Sequence, residues 1–220
     1  MNIKNIFEKS ADFTIKRIIE IFGIILIIFS ILLLLSFASY SPEDPNFIFN
    51  SEKEIENMLG FKGSYTSDIF FQSFGIISYL IPVTLIFTGI YIFRSKKIFI
   101  LLRNLFYTIL YIILGSFFFS FFYNETFWLT INGNGGFVGS YLNNSFLHDF
   151  IKINQMVAYY FLVIIILLIF LISINFKLKL LPKLISSLLI LFKKKEEKLI
   201  NTDIEAITNK EEVLDNDETR

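Results

Sequence analysis

Charged side chains divide the chain into long apolar stretches separated by shorter polar segments. Four stretches contain no charged residue, and they cover residues 21–42, 69–93, 104–124 and 153–176. At ~1.5 Å of rise per residue, a helix of each length crosses the ~30 Å hydrocarbon layer of a bilayer. Lipid offers the backbone no hydrogen-bond partners, so helices are the expected form. The pattern predicts an all-α integral membrane domain at 18–176, with four transmembrane helices at about 18–40, 69–93, 104–124 and 153–176.

Lysine and arginine are distributed unevenly among the segments outside these spans. In chain order, the arm at 1–17, the loops at 41–68, 94–103 and 125–152, and the C-terminal part contain 4, 2, 4, 1 and 9 of them. Cytoplasmic segments carry the excess of basic residues in membrane proteins. An even number of spans also leaves both termini on the same side. The two observations predict an N-in/C-in topology, with 1–17 as a cytoplasmic arm and 41–68 and 125–152 as outer loops.

The first outer loop contains a short pattern that is typical of a helix start. Ser51 and Glu54 have the spacing of a capping box. Ile55, Met58 and Leu59 follow at helical spacing. This pattern predicts a small helix near the outer surface.

The segment after the fourth span combines apolar residues with lysines. Leucine and isoleucine recur at helical spacing across 177–192, and lysines stand on both sides of them. The pattern predicts an amphipathic helix on the inner membrane surface. A bent continuation of the fourth span explains the same pattern and stays open. Residues 193–220 are polar and rich in acids, which predicts a cytoplasmic linker or tail.

Composition excludes a soluble fold. Hydrophobic residues make up 54% of the chain, 28 residues are phenylalanine, and only 18% are charged. An ordinary globular domain is about 25% charged. A water-soluble fold of this size would expose much of its apolar surface and aggregate. The lipid bilayer is therefore the first partner that the sequence predicts.

The motifs of common chemistries are missing from the sequence. No Gly-Lys dipeptide occurs, which excludes a nucleotide-binding P-loop of the form GxxxxGK[ST]. The chain has no cysteine and a single histidine, His148, so we expect no thiolate or histidine metal site. We expect no enzyme activity, no cofactor and no small-molecule substrate.

Two alternatives to an anchoring role stay open. Transporters usually keep an ionisable group in their spans, and these spans have none. Hydroxyls and backbone can still form a substrate site, so a small transporter or channel subunit is one alternative. A stand-alone membrane interaction protein is the other.

Small residues within the spans predict close helix packing. The third span has Gly115, Ser116 and Ser120, and the second has Gly75 and Gly89. Such residues let helix backbones approach closely in lipid. Whether they join helices of one chain or of two copies stays open. Pro82, in the second span, predicts a kink.

Three short motifs occur in the order that is known from one protein family. Ser39-Tyr40-Ser41-Pro42-Glu43-Asp44-Pro45 ends the first span and resembles the signature that follows the first transmembrane helix of the FtsK/SpoIIIE family of bacterial DNA translocases. The stretch 57–65, with Gly60 and Gly63, and its continuation through Gly75 and Pro82 are similar to the next family segment. The run Gly135-Gly136-Phe137-Val138-Gly139 resembles the glycine motif before the last membrane helix.

The resemblance covers residues 18–176 and implies the N-terminal membrane domain of such a translocase. In that family the domain lies in the bacterial inner membrane at the division septum, contacts divisome membrane proteins and tethers a hexameric ATPase that moves DNA. Self-association is also expected. DNA would be reached only through a motor domain that these residues do not include. The chain is then either part of a longer translocase or a stand-alone relative of its membrane domain. Asp44, Trp128 and the glycine turn are the candidates for an outer contact face.

Overall fold

A computed structural model describes residues 3–45, 54–124, 129 and 131–176, without the side chains of 3–7 and 150. Within these ranges every regular element is a helix, in agreement with the predicted all-α class. The elements are α1 (Ile3–Ala38), α2 (Gly60–Phe74), a 3₁₀ turn (Gly75–Tyr79), α3 (Leu80–Ser95), α4 (Phe99–Phe122), α5 (Gly136–Asn143), α6 (Phe146–Lys152) and α7 (Gln155–Ser173). The predictions for Ser51, Trp128, 177–192 and 193–220 lie outside the described residues.

Four helical segments are long and apolar enough to cross a membrane. They are Glu8–Ala38, Gly60–Ser95, Phe99–Phe122 and Gln155–Ser173. The second segment contains α2, the 3₁₀ turn and α3 in succession. The chain is therefore a multi-pass membrane protein with four spanning segments, as the spacing of the charges predicts.

Helices α1 and α3 pack with their backbones in near contact. A Cβ atom on Gly89 would lie 2.7 Å from Cγ1 of Ile27 and 2.9 Å from the carbonyl oxygen of Gly23. Lipid is as apolar as the helices, so association depends on this close packing rather than on a hydrophobic driving force. The small residue predicted to serve packing at position 89 thus joins two helices of one chain.

Helices α3, α4 and α7 are joined by a buried ladder of polar side chains. The hydroxyl of Thr84 lies 3.0 Å from that of Tyr111 and 3.3 Å from that of Ser173. One turn along α3, Thr88 accepts a hydrogen bond of 2.9 Å from Nδ2 of Asn104. These five side chains are buried and have partners within the chain. Their polar atoms satisfy one another where lipid could not.

A charged cluster defines one end of the bundle, which we call the basic end. Glu20 of α1 pairs with Lys96, 2.7 Å away in the turn between α3 and α4, and also with Arg17. Lys96 ends α3 in a left-handed conformation, with φ at 56°. The opposite end, which we call the loop end, contains the long connections from 39 to 59 and from 123 to 154.

The second span differs from its prediction at both ends of α2. The small helix expected around Ile55, Met58 and Leu59 is wrong, because residues 54–59 are not helical and α2 begins at Gly60. The kink expected at Pro82 is also wrong. The helix breaks earlier, at the 3₁₀ turn, and Pro82 lies in the first turn of α3, where its missing N–H has no helical partner to lose.

The α1–α3 contact yields the first prediction. Replacing Gly89 with leucine forces a side chain between two touching backbones, so we expect the free energy of unfolding to fall by about 1–3 kcal/mol, as for overpacked cores. Unfolding in mixed detergent micelles, followed by circular dichroism, measures the change. Ala38→Leu adds three of the same four carbon atoms at an exposed position on α1 and serves as the control. Equal losses for the two variants would contradict the packing role of Gly89.

Candidate functional site

The chain leaves α1 through a turn in which a buried carboxylate has two backbone donors. The N–H of Asp44 donates to the carbonyl of Ser41 over 3.3 Å, which closes the turn. Its side-chain oxygens accept from the backbone N–H groups of Glu56, at 2.9 Å, and of Asn57, at 3.1 Å. Asp44 is only 2% exposed. The carboxylate therefore fastens the start of the α2 segment to the end of α1.

Asn57 completes this junction from the other side. Its Nδ2 donates to the carbonyls of Ser36 and Ser39 over 2.9 and 3.2 Å. Carbonyls in the last turn of a helix have no partner within the helix. Asn57 therefore caps α1 with its amide, while its Oδ1 accepts from the N–H of Leu59.

Tyr40 ties the same turn to the body of α2. Its hydroxyl donates to Oδ1 of Asp68 over 3.1 Å, and its ring lies 4.7 Å from that of Phe71, measured between centroids. Burial, together with the charge of the neighbouring Asp68, raises the pKa of Tyr40 above its ordinary value. The hydroxyl is thus a proton donor at neutral pH. We call Tyr40, Asp44, Asn57 and Asp68 the polar clamp.

The polar clamp requires that α1 and α2 approach closely. Ser36 of α1 donates to the carbonyl of Gly63 on α2 over 2.7 Å. A Cβ atom on Gly63 would overlap the side chain of Asn57. Glycine is therefore the residue that leaves room for the clamp at this position.

The glycines of the second outer loop pack against the break between α2 and α3. The carbonyl of Asn134 accepts from the N–H of Ile76 over 3.0 Å, directly after Gly75. Gly75 and Gly136 have positive φ angles of 75° and 65°. A Cβ atom on Gly136 would lie 2.5 Å from the backbone nitrogen of Gly75. The two irregular segments thus satisfy each other's backbone hydrogen bonds and leave no space between them for a side chain.

Helix α4 forms the other wall of this contact. A Cβ atom on Gly135 or Gly139 would collide with the carbonyl of Ser116, and one on Gly135 also with Ser120. Ser116 in turn donates from Oγ to the carbonyl of Phe74, the last residue of α2, over 2.8 Å. We call Gly75, Gly135, Gly136, Gly139 and their two serine partners the glycine seam. The small residues predicted in the third span therefore serve packing within the chain.

The candidates for an outer contact face differ in how far the structure describes them and in their burial. Asp44 is buried with both side-chain oxygens accepting hydrogen bonds, so it offers no exposed carboxylate. Gly135, Gly136 and Gly139 are buried in the seam. Trp128 lies outside the described residues. The structure brings Tyr40 and Asp44 together in the clamp.

The remaining motif residues lie around these two clusters. Ser39 accepts from the N–H of Met58 over 3.0 Å, and Ser41 closes the turn of Asp44. Pro45 accepts from the hydroxyl of Ser64 over 3.2 Å, while Pro42 is half-buried. A Cβ atom on Gly60 would meet no neighbour within 4 Å, and the φ angle of Gly60 is 61°.

Asn57 and Asp68 are the functional residues that sequence reasoning missed. Asn57 falls within the motif stretch 57–65, and Asp68 is the last residue of the first outer loop, but no sequence pattern assigns either of them a partner. The available signal was their polarity beside predicted spans, since a polar group there needs a partner.

The chemistry of the clamp and the seam is structural. Across the described ranges, no cluster of three or more His, Asp or Glu residues could hold a metal ion. The clamp carboxylates already accept hydrogen bonds from this chain. What the arrangement does is lock α1, α2, α4 and α5 together at the loop end.

A family model described as the 4TM region of DNA translocase FtsK/SpoIIIE matches residues 15–185. The matched range contains the whole polar clamp and the whole glycine seam. No solved structure matches the chain.

The polar clamp predicts a graded loss of stability at position 44. Asp44→Ala leaves two backbone donors without their acceptor, and we expect the free energy of unfolding to fall by about 2 kcal/mol. Asp44→Asn keeps one acceptor oxygen and should lose less. Glu54→Ala, at a neighbouring exposed carboxylate, should change it by less than about 0.5 kcal/mol. Unfolding in mixed micelles checks the order, and an alanine variant as stable as the native chain would refute the clamp.

The glycine seam is tested by two alanine substitutions at similar backbone angles. Gly60→Ala and Gly136→Ala both place a side chain at positive φ, which costs roughly 1–2 kcal/mol. Only position 136 also lacks space, because the added Cβ meets Gly75 and Phe74. We expect a clearly lower melting temperature for Gly136→Ala than for Gly60→Ala in the same detergent. Matching temperatures would show that steric exclusion in the seam contributes nothing.

Proposed function

The chain belongs to the family of the 4TM region of FtsK/SpoIIIE DNA translocases, and from this premise we propose that it anchors a DNA-translocating motor to the membrane at the division septum. The family region is a membrane region and not the ATPase motor. The role proposed for this chain is therefore mechanical. The family match over 15–185 is the observation that carries the proposal.

The interlocked helices support an anchoring role. A motor that pulls DNA transmits a reaction force to its membrane attachment. In this chain α1 and α2 are joined by the clamp, and α2, α4 and α5 meet at the seam. Interfaces built from several hydrogen bonds and close backbone contacts resist such a load better than lipid-separated helices would.

We propose that the chain spans the bacterial inner membrane with both termini in the cytoplasm. The alternating counts of lysine and arginine support it, as does the number of spanning segments. In this orientation the loop end faces outward and the basic end inward. The segment from Lys193 onward would then lead towards the motor, which alone would contact DNA.

Lateral contacts with divisome membrane proteins and with other copies of the chain complete the proposal. The clamp and the seam are buried, so such contacts would use exposed faces instead. Helices α1 and α7 present the largest apolar faces, with Ile21, Ile28, Met156, Phe161 and Ile164 all more than half exposed. Several weak contacts of this kind raise the local concentration of the motor without requiring tight pairs.

Transport has no specific observation in its favour. The buried hydroxyls of Thr84, Thr88 and Tyr111, which could have formed a substrate site, are hydrogen-bonded within the chain. We therefore propose no small-molecule substrate and no cofactor. The gene distinguishes a stand-alone interaction protein from an anchor, because only the gene of an anchor also encodes a motor. A GxxxxGK[ST] motif encoded within a few hundred residues after Arg220 would establish the attached motor.

The proposal predicts that the four spans determine septal localisation. A fluorescent protein fused after Arg220 should mark the septum of dividing cells. Deletion of residues 18–192, which removes the four spans and the predicted surface helix, should leave the fusion diffuse in the cytoplasm. Replacing the same residues with an unrelated four-helix anchor should restore membrane attachment without enrichment at the septum. Fluorescence microscopy measures the ratio of septal to lateral signal. Septal enrichment that survives either change would contradict the proposed role.

A further inference from the structure

Helix α5 has two faces of opposite character. One face consists of the glycines that pack against α4 and the break after α2. The other presents Phe137 and Tyr141, which are 63% and 70% exposed. Their rings stack on each other, with centroids 6.5 Å apart and planes inclined by 26°. Two large rings are thus held outward on a helix that its other face fixes in place.

The length of α4 sets the depth at which α5 lies. Gly135 and Gly139 contact the carbonyl of Ser116, and α4 begins at Phe99 next to the charged turn of Lys96. Counted from Asn104, the first residue after the charged Arg103, the two contacted serines Ser116 and Ser120 stand about 18 and 24 Å along α4 at ~1.5 Å per residue. The hydrocarbon layer is ~30 Å thick. Helix α5 therefore crosses α4 near the far boundary of the hydrocarbon, and α4 continues past it to Phe122.

From this depth we propose that α5 is an interfacial helix whose Phe137 and Tyr141 rings insert into lipid at the boundary between acyl chains and headgroups. The leaflet concerned is the one at the loop end. An aromatic ring with a polar tip is favoured at this level, because the ring lies among acyl chains while the hydroxyl reaches the headgroups. The glycine seam places the rings at that boundary, since it fixes α5 against α4. The inference concerns the membrane itself and does not depend on an attached motor.

The irregular backbone beside α5 is consistent with this depth. Non-helical segments occur within a membrane only where protein covers them and satisfies their polar groups. Gly133, Gly135 and Gly136 are buried, and Asn134 accepts from Ile76. The amide of Asn134 also donates to the carbonyl of Tyr123 at the end of α4 over 2.9 Å. The polar groups of Asn134 are thus hydrogen-bonded within the protein, and only the aromatic face of α5 is left for lipid.

Tryptophan fluorescence in vesicles tests the depth directly. The chain has one tryptophan, so the full chain carrying Trp128→Phe is a silent background. Phe137→Trp in that background is reconstituted into phosphatidylcholine vesicles brominated either near the glycerol end or near the middle of the acyl chains. We expect strong quenching by the bromines near the glycerol end, weaker quenching by the deeper ones, and little quenching by aqueous iodide.

Two further tryptophan substitutions calibrate the scale of membrane depth. Met58→Trp, 74% exposed in the connection before α2, reports the aqueous limit, and Ile164→Trp, 56% exposed near the middle of α7, reports the deep limit. A Phe137→Trp signal that matches Met58→Trp, with quenching by iodide and none by bromine, would overturn the proposal. So would a signal that neither quencher reaches, since a second copy would then cover α5.

A cysteine variant keeps the test valid if the tryptophan disturbs the seam. The chain contains no cysteine, so Tyr141→Cys introduces the only thiol. In vesicles, a membrane-impermeant maleimide should react with it at least tenfold more slowly than with Met58→Cys. After the vesicles are dissolved and the chain is denatured in sodium dodecyl sulfate, the two rates should converge. Equal rates in intact vesicles would place α5 in water and contradict the inference.

Discussion

The structure depends on one constraint: a backbone group in hydrocarbon must find its hydrogen-bond partner within the protein. Straight helices meet this constraint by themselves, but the loop end of this bundle is not straight. There α1 ends, the second span breaks at Gly75–Tyr79, and the glycine turn returns against α4. Asp44 accepts from two backbone N–H groups, the amide of Asn57 caps two carbonyls, and the carbonyl of Asn134 accepts from Ile76. The polar clamp and the glycine seam are the two solutions to the same requirement.

Close packing supplies what the hydrophobic effect cannot supply between helices in lipid. Gly23 and Gly89 bring α1 to α3, Gly63 leaves room on α2 for Asn57, and Ser116 contacts the glycines of α5. Larger side chains cannot be accommodated at these contacts, whereas the lipid-facing positions of α1 and α7 can accommodate them. Sensitivity to substitution should therefore follow the seams of the bundle and not its apolar surface.

The architecture could be predicted from the sequence because the gaps between charges are a local property. Four runs without charge gave the four spanning segments and their all-α class. The details of the loop end failed because they depend on partners far along the chain. The helix expected at Ile55–Leu59 is replaced by a segment whose N–H groups bind Asp44, 12 and 13 residues earlier. The helix propensity of residues 55–59 does not indicate a contact with Asp44.

The site residues show the same division. The motif around Asp44 predicts a candidate for an outer contact face, and only the burial of Asp44 reveals the clamp. The glycine run is recognisable as a motif, but its partner is Ser116 on another helix, which spacing along the chain could not identify. The break of the second span was assigned to Pro82 because proline is the commoner cause of kinks, although Gly75, with its positive φ, begins it.

The bundle joins α1 to its neighbours at both the loop end and the basic end. The Glu20–Lys96 pair keeps α1 level with the turn between α3 and α4, while the clamp joins α1 to α2 at the other end. The apolar half of α1, from Ile21 to Ala38, is thus held at both ends.

The most direct test of this account is the sidedness of the chain in intact cells. Three variants of this cysteine-free chain each carry one thiol, at Ser10→Cys, Met58→Cys or Thr219→Cys, and are exposed to a maleimide that cannot cross the inner membrane. The account predicts that only Met58→Cys reacts, and that all three react once the membrane is permeabilised. Labelling of either terminal position in intact cells would contradict the four-span arrangement on which the clamp, the seam and the proposed anchor depend.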